Sequence, residues 1–161
     1  MSKLLKTIQF DDSDENVYAS TADEHEWAIS CAFQFCDQQF DEMDGKTRQA
    51  FNNGFLGLTS FGYSTFGITA NIMSSTLGDV ELELAKYIFE NFGAPDLKSA
   101  VEAARHEIEF TADLCADVPV GTIFSVVREF TLEGRIKESF HKIKLDDDHI
   151  QHGNIWEIVE D

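Results

Sequence analysis

Positively charged side chains are scarce in this sequence. It has 12 Lys and Arg residues against 30 Asp and Glu residues, which gives a formal net charge of −18 at pH 7. Such a surface repels phosphate backbones and anionic lipid headgroups, so binding to nucleic acid and to membrane surfaces is disfavoured. High acidity is also typical of a chain that needs only to stay in solution. The charge therefore excludes classes of partner without indicating a particular one.

Cysteine is also sparse. Cys31, Cys36 and Cys115 are odd in number, and no two have the Cys-x-x-Cys spacing. This usage predicts reduced, buried thiols in a cytoplasmic protein. Residues 1–6 lack the apolar segment of a secretion signal, which supports the same expectation.

Charge is missing altogether from Gln49 to Gly78. Asn, hydroxyl and glycine residues interrupt this uncharged block, so it does not have the composition of a transmembrane span. It is rich in aromatic rings, namely Phe51, Phe55, Phe61, Tyr63 and Phe66. A block of this kind either packs against folded protein or lines a pocket, and we expect the first.

Hydrophobic periodicity predicts a single domain over residues 1–161 with strands at both ends and helices between them. Strands are predicted at Leu4–Phe10, Trp27–Phe35 and Phe61–Ile72, and helices at Gly45–Phe55, Thr76–Phe92 and from Pro95 to Cys115. The expected fold is α+β, an antiparallel sheet of about five strands with two main helices packed on one face. An acidic tail from about residue 145 is expected to pack loosely or to add an edge strand.

A β-hairpin is predicted around Leu132-Glu133-Gly134, where Gly134 takes the left-handed position. The register pairs Phe130 with Ile136, Val126 with Phe140, Glu129 with Lys137, and Arg128 with Glu138. Two apolar and two opposite-charge pairs from a single register support it. Arg128 and Glu138 fall on the apolar face, where they either line a polar pocket or form a partly exposed pair near the end of the sheet. We favour the exposed pair.

Two groups of potential metal ligands are present. Asp148, His149 and His152 have the spacing of a carboxylate and two histidines that share a metal ion, but a fourth ligand and a helical pattern are missing. The second group, on the predicted helix after Pro95, consists of Glu102, His106, Glu109 and Asp113. It lies opposite the apolar stripe, which indicates a solvent-facing surface. We therefore expect no metal and no cofactor, and keep the tail histidines as a weak alternative.

Several segments resemble a family of small, soluble bacterial proteins, mainly alphaproteobacterial, that share a domain of unknown function. The similarity lies in Glu26-Trp27-Ala28-Ile29-Ser30, Gly45-Lys46-Thr47-Arg48-Gln49-Ala50-Phe51, Gly54-Phe55-Leu56-Gly57-Leu58, Ser60-Phe61-Gly62 and Phe92-Gly93-Ala94-Pro95-Asp96-Leu97. The resemblance covers nearly the whole chain. It implies no catalytic residue and no cofactor.

These observations leave three functional hypotheses. The first is a non-enzymatic accessory protein that acts as a homodimer or beside a partner complex. Two observations support it: the uncharged aromatic block is larger than one small core requires, and the sequence contains no complete catalytic set. The second is a pocket, in a binding protein or an enzyme, for an anionic small molecule. Its walls would be Trp27, Phe55, Phe61 and Tyr63, and its polar anchors Arg48, Arg128 and Glu138. The third is metal binding through the tail histidines.

Overall fold

The computed structural model describes residues 2–10, 13–36, 38–145 and 156–160. The strands are β1 (Ser2–Ile8), β2 (Trp27–Ser30), β3 (Phe55–Gly57), β4 (Tyr63–Ser64), β5 (Phe66–Ile72), β6 (Ile123–Phe130), β7 (Ile136–Leu145) and β8 (Trp156–Glu160). The helices are α1 (Ser13–Val17), α2 (Gly45–Asn53), α3 (Ser74–Asn91) and α4 (Leu97–Ala116). Short 3₁₀ segments cover Ala32–Phe35 and Phe40–Glu42.

The strands form one antiparallel sheet in the order β4-β3-β2-β1-β5-β6-β7-β8. The predicted α+β class is confirmed, but the prediction of about five strands was too low because β3, β4 and β8 are only two to five residues long. Strands this short leave little periodic pattern in a sequence. The last of them, β8, pairs with β7 at one edge of the sheet.

Helix α4 lies where two neighbouring strands separate. Strands β1 and β2 pair only at Leu5–Ala28 and Lys6–Trp27. Beyond those pairs α4 contacts both strands, and the backbone N–H of Ser30 donates to Thr111 Oγ1 at 3.1 Å. Helix α3 packs against α4. None of the helices in the described part of the chain has the length and apolar composition that a membrane crossing requires.

The sheet is strongly curled. In the strand order β3 and β7 are separated by four other strands, yet the rings of Phe55 and Phe140 stack with centroids 6.3 Å apart. Asn53 Nδ2, at the end of α2, also donates to the carbonyl of Val126 on β6 at 3.0 Å. The curl brings β2 and the end of α2 against β6 and β7, and this positions the site described below.

The uncharged block packs inside the chain. Phe51 and Phe55 have no solvent exposure. The ring of Phe51 stacks on that of Phe130, with centroids 4.4 Å apart and 8° between the planes. Phe61 stacks on Tyr87 of α3 at 4.0 Å. The absence of charge in this block is therefore explained by internal packing.

The predicted strand Trp27–Phe35 is only partly correct, because β2 ends at Ser30 and a 3₁₀ segment follows. The alternating pattern continues through Gln34, but this side chain is buried between two tyrosines. Its Nε2 donates to Tyr87 at 3.1 Å, and its Oε1 accepts from Tyr63 at 2.8 Å. The predicted strand Phe61–Ile72 is likewise divided into β4 and β5.

The hairpin prediction is confirmed in every pair. Strands β6 and β7 align Phe130 with Ile136, Glu129 with Lys137, Arg128 with Glu138, and Val126 with Phe140. Gly134 adopts a φ of 82°, in the left-handed region expected for it.

Helix starts were predicted less well. The helix predicted from Thr76 begins two residues earlier, at Ser74, and Met73 before it provides no side-chain cap. By contrast, Asp44 caps α2, accepting from Thr47 N at 2.7 Å.

Candidate functional site

Arg128 lies at the centre of the curled sheet and uses all of its donor groups within the protein. Its side chain has no solvent exposure. Nη1 donates to the carbonyls of Phe51 at 3.0 Å and Gly54 at 2.8 Å, and it lies 3.4 Å from the carbonyl of Ala50. These carbonyls are at the C-terminal end of α2, where a cation offsets the partial negative charge of the helix dipole. The arginine therefore joins α2 to β6.

The remaining donors of Arg128 meet Ser30 and Glu138. Nη2 donates to Ser30 Oγ at 3.1 Å, and Nε donates to Glu138 Oε2 at 2.7 Å. Ser30 Oγ in turn donates to the same carboxylate oxygen. Two donors, one of them a guanidinium, hold the carboxylate of Glu138 in a fixed orientation. The predicted pair is thus formed, but the expectation of an exposed pair was wrong, since the arginine is fully buried and the glutamate is 15% exposed.

Glu138 faces a cavity of about 630 Å³. One wall is α4, a second is the 3₁₀ segment after β2, and the third is the turn and first residues of β7. The lining residues are Ser30, Ala32, Phe33, Cys36, His106, Glu107, Phe110, Gly134, Arg135, Ile136 and Glu138. A concave site of this size, with apolar walls and a few polar groups, has the dimensions of a ligand pocket.

Glu107 is the second carboxyl group of this cavity. Burial, reinforced by the charge of Glu138 and opposed by that of Arg128, raises the pKa of Glu107 from its ordinary 4.5 to about 7. Within the described residues, Glu107 forms no hydrogen bond and no ion pair. A carboxyl group that titrates near neutral pH can accept or release a proton when a charged ligand binds.

The other predicted ligand-binding residues do not converge on this cavity. Arg48 donates to the carbonyls of Phe40 and Asp41 at 3.0 and 3.2 Å, and its guanidinium lies over the Phe40 ring. Lys6 lies 4.5 Å from the centre of the Trp27 ring.

The three aromatic residues of the uncharged block that were predicted as pocket walls have internal partners. Phe55 stacks on Phe140, Phe61 stacks on Tyr87, and the Tyr63 hydroxyl donates to Gln34. Of the seven residues predicted for a ligand pocket, the structure brings together only Arg128 and Glu138, and only Glu138 lines the cavity.

Sequence reasoning missed Ser30 and Glu107. In the sequence Ser30 stands out only as the end of the family-like segment Glu26-Trp27-Ala28-Ile29-Ser30. Glu107 lies between the apolar stripe of α4 and its solvent-facing stripe of Glu102, His106, Glu109 and Asp113, all four of which are exposed as predicted. The helical pattern alone does not predict whether a glutamate at such a boundary is buried, because its burial depends on how β7 packs against the helix.

The weak metal alternative lies outside the described residues, since Asp148, His149 and His152 fall between residues 145 and 156. Across residues 2–10, 13–36, 38–145 and 156–160, no group of three or more His, Cys, Asp or Glu side chains is arranged to hold a metal ion. The tail histidines therefore remain a prediction.

A family model described as a family of unknown function, DUF6505, matches residues 1–160. The chain belongs to this family. Membership of DUF6505 confirms the predicted resemblance to a family of unknown function, and it assigns no reaction or ligand. No curated protein and no solved structure matches the chain. Functional inference for this DUF6505 member therefore depends on the geometry of the site.

Proposed function

We propose that this protein binds a small molecule in the cavity between α4, the 3₁₀ segment after β2 and the β6–β7 hairpin. The observation that carries the proposal is the pairing of two different carboxyl groups in one cavity. Glu138 is held in a hydrogen-bonded ion pair by buried Arg128, whereas Glu107 has no such partner and a pKa near neutral. Groups with strongly shifted pKa values in a concave site are typical of binding and catalytic centres.

A purely structural role accounts for Arg128 but not for Glu107. Arg128 closes the end of α2 and ties it to β6 and β7, as a fold requires. Glu107 gains no hydrogen bond in exchange for its desolvation, so its position costs folding free energy. Such a cost is common where the group serves a site rather than the fold.

The proposal is tested by filling the cavity. Ala32 lines it, and Ala103 is exposed on α4 outside it. We expect a thermal-shift screen of metabolites and cofactors to find compounds that stabilise the wild type and Ala103→Trp, and that fail to stabilise Ala32→Trp. Stabilisation of Ala32→Trp by the same compounds, or no stabilising compound for the wild type, would overturn this function.

A second candidate is a non-enzymatic accessory protein that associates with a second copy of itself. Leu82 and Phe89 of α3 favour it: they are 44% and 45% exposed, and a spacing of seven places both on one side of the helix. We expect sedimentation of the wild type at high micromolar concentration to show a dimer, and Leu82→Glu to shift it to monomer. A wild-type monomer at that concentration would exclude this candidate.

We further propose that the protein acts in the cytoplasm. All three cysteines are free thiols, and Cys31 and Cys115 are buried. Free thiols are typical of a reducing compartment. Fractionation of the native cell, with the protein detected by antibody, tests this location.

A further inference from the structure

The carboxyl groups of the cavity are hydrogen-bond acceptors when they are ionised. Glu138 and Glu107 both face it, and the hydroxyl of Ser30 already donates its proton to Glu138. Arg128 does not line the cavity, and its nitrogens donate to the carbonyls of Phe51 and Gly54, to Ser30 and to Glu138. A ligand that reaches these carboxyl groups therefore needs hydrogen-bond donors and gains from positive charge.

Two basic side chains of the cavity do not reverse this balance. Arg135 comes directly before β7 and is exposed, and His106 is exposed on α4. Solvent screens a charge at such exposed positions, so its influence on a bound group is small. Glu138 and Glu107 are less exposed and act in a less polar environment, so their charges have the larger effect on a bound group.

The upper part of the cavity is apolar. Phe33 comes from the 3₁₀ segment, Phe110 from α4 and Ile136 from β7, so each wall contributes one large apolar side chain. Phe110 is 47% exposed although its ring lies 5.9 Å from that of Phe140. Ring faces of this kind also attract an ammonium group. The cavity thus combines apolar walls with an acidic base.

We propose that the ligand is an organic cation, a protonated amine attached to an apolar body, and that the ammonium group binds between Glu107 and Glu138 while the apolar body lies against Phe110 and Phe33. This inference rests on the proposed function, since it names the ligand class of the same cavity. It departs from the anionic ligand predicted from the sequence because the arginine that suggested an anion is fully buried and does not line the cavity.

Binding of such a cation changes the protonation of Glu107. An ammonium group between the two carboxyl groups favours their ionised forms, so binding below neutral pH releases a proton from Glu107. The groups that face Glu107 are Glu138, whose charge raises its pKa, and Arg128, whose charge lowers it. His106, Arg135 and Cys36 line the same cavity. Affinity is expected to fall about tenfold per pH unit below about pH 7, while an alkylamine itself stays protonated.

The test uses three series of probes, and each series has one apolar body that carries an amine, an alcohol or a carboxylate as head group. The first series is 2-phenylethylamine, 2-phenylethanol and phenylacetate. The second has a cyclohexyl body and the third an n-butyl body. Binding is followed by calorimetry and by chemical-shift changes of the backbone amides of α4 and β7. We expect the amines to bind at least tenfold more tightly than the alcohols, with carboxylates weakest. The tightest amine should release close to one proton at pH 6.

Two variants identify the groups responsible. Glu107→Gln keeps the size of the side chain and removes its charge, so amine affinity should fall and its pH dependence should flatten. Glu109→Gln removes a carboxylate from the exposed surface of the same helix and should bind like the wild type. If Glu109→Gln weakens binding as much as Glu107→Gln, the effect is one of net charge and the inference is wrong.

The outcomes separate this inference from the proposed function. If alcohols or carboxylates bind in the cavity and amines do not, the small-molecule function stands and the cationic ligand is excluded. If no member of any series binds and no amide of α4 or β7 shifts, the inference fails, and the metabolite screen with Ala32→Trp decides the function independently. Amine binding that survives in Ala32→Trp places the ligand elsewhere and overturns both.

Discussion

Arg128 Nε lies 2.7 Å from Glu138 Oε2 across the β6–β7 pair, with the arginine side chain wholly buried and the glutamate at the wall of the cavity. Burying a guanidinium costs several kcal/mol, which is recovered only when its donors are all bonded. Here the carbonyls of Phe51 and Gly54, the hydroxyl of Ser30 and the carboxylate supply those bonds. Removing either charge therefore affects the fold and the cavity together.

Replacement of Arg128 by methionine should be strongly destabilising. It leaves Glu138 without its counter-charge and leaves the carbonyls at the end of α2 without a donor. We expect the free energy of unfolding to fall by about 3–5 kcal/mol, measured by urea denaturation. Arg128→Lys should recover only part of the loss because an ammonium group cannot serve the same forked set of acceptors.

The matched control is Arg105, which pairs with Glu81 at 3.0 Å but is 53% exposed. Arg105→Met should lower the free energy of unfolding far less than Arg128→Met does, because solvent screens an exposed ion pair. If the two methionine variants lose equal stability, Arg128 is not the link between α2 and the sheet that its contacts indicate.

The hairpin register could be predicted from the sequence because the residues that define it lie close together in the chain. Four cross-strand pairs agreed on one alignment, and Gly134 marked the turn. The curl of the sheet did not follow, because it depends on contacts such as that of Ser30 with Thr111 of α4 and that of Phe55 with Phe140. Both contacts join residues more than 80 positions apart, and no periodic pattern encodes them.

The site was half predictable for the same reason. Arg128 and Glu138 stood out as charges on an apolar face, and the register placed them together. The third and fourth members, Ser30 and Glu107, come from β2 and α4, and only tertiary packing brings them to the same place. The residues quoted for the pocket walls were aromatic, as expected of a pocket, but aromatic residues are equally expected of a core.

The stability of the protein should depend on pH through Glu107. Its pKa in the folded protein is about 7, above the ordinary 4.5 expected after unfolding, so the folded state binds the extra proton between these values. This proton adds to the free energy of unfolding in full below about pH 4.5, and its contribution is lost as the pH rises through about 7. We expect the urea midpoint of the wild type to fall over this range relative to that of Glu107→Gln.

Measuring the difference between the two proteins at each pH removes the contributions of the other carboxyl groups. Glu109→Gln serves as the control, since it should follow the wild type across the same range. A wild type and a Glu107→Gln variant with parallel pH profiles would show that Glu107 titrates normally.

The three cysteines should react with alkylating reagents at very different rates. Cys31 and Cys115 have no solvent exposure, and burial raises the pKa of each thiol to about 11. The reagent therefore cannot reach either sulfur, and little of the reactive thiolate is present. Cys36 is exposed. We expect mass spectrometry to find a single iodoacetamide adduct, on Cys36, in the native protein and three adducts in urea. Cys36→Ser should show none before unfolding, and native labelling of Cys31 at the rate of Cys36 would contradict its burial.

Gly57 should not tolerate a side chain, because the carboxylate of Glu26 occupies the space beside its Cα. A Cβ added there would overlap Glu26 Oε1. That oxygen accepts from the backbone N–H groups of Thr59 and Ser60 at 3.0 and 2.9 Å, so moving it breaks the contacts that shape the β3–β4 turn. We expect Gly57→Ala to lower the free energy of unfolding by about 2–3 kcal/mol.

Gly78 supplies the opposite case within the same chain. It lies inside α3, where an added Cβ would contact no atom within 4 Å. Gly78→Ala should therefore raise the free energy of unfolding by about 0.5–1 kcal/mol, because alanine loses less backbone entropy in a helix than glycine does. Comparing the two urea midpoints distinguishes a steric requirement from a general effect of replacing glycine. A Gly57→Ala variant as stable as the wild type would mean that Glu26 does not hold the turn, and Glu26→Gln should then also be neutral.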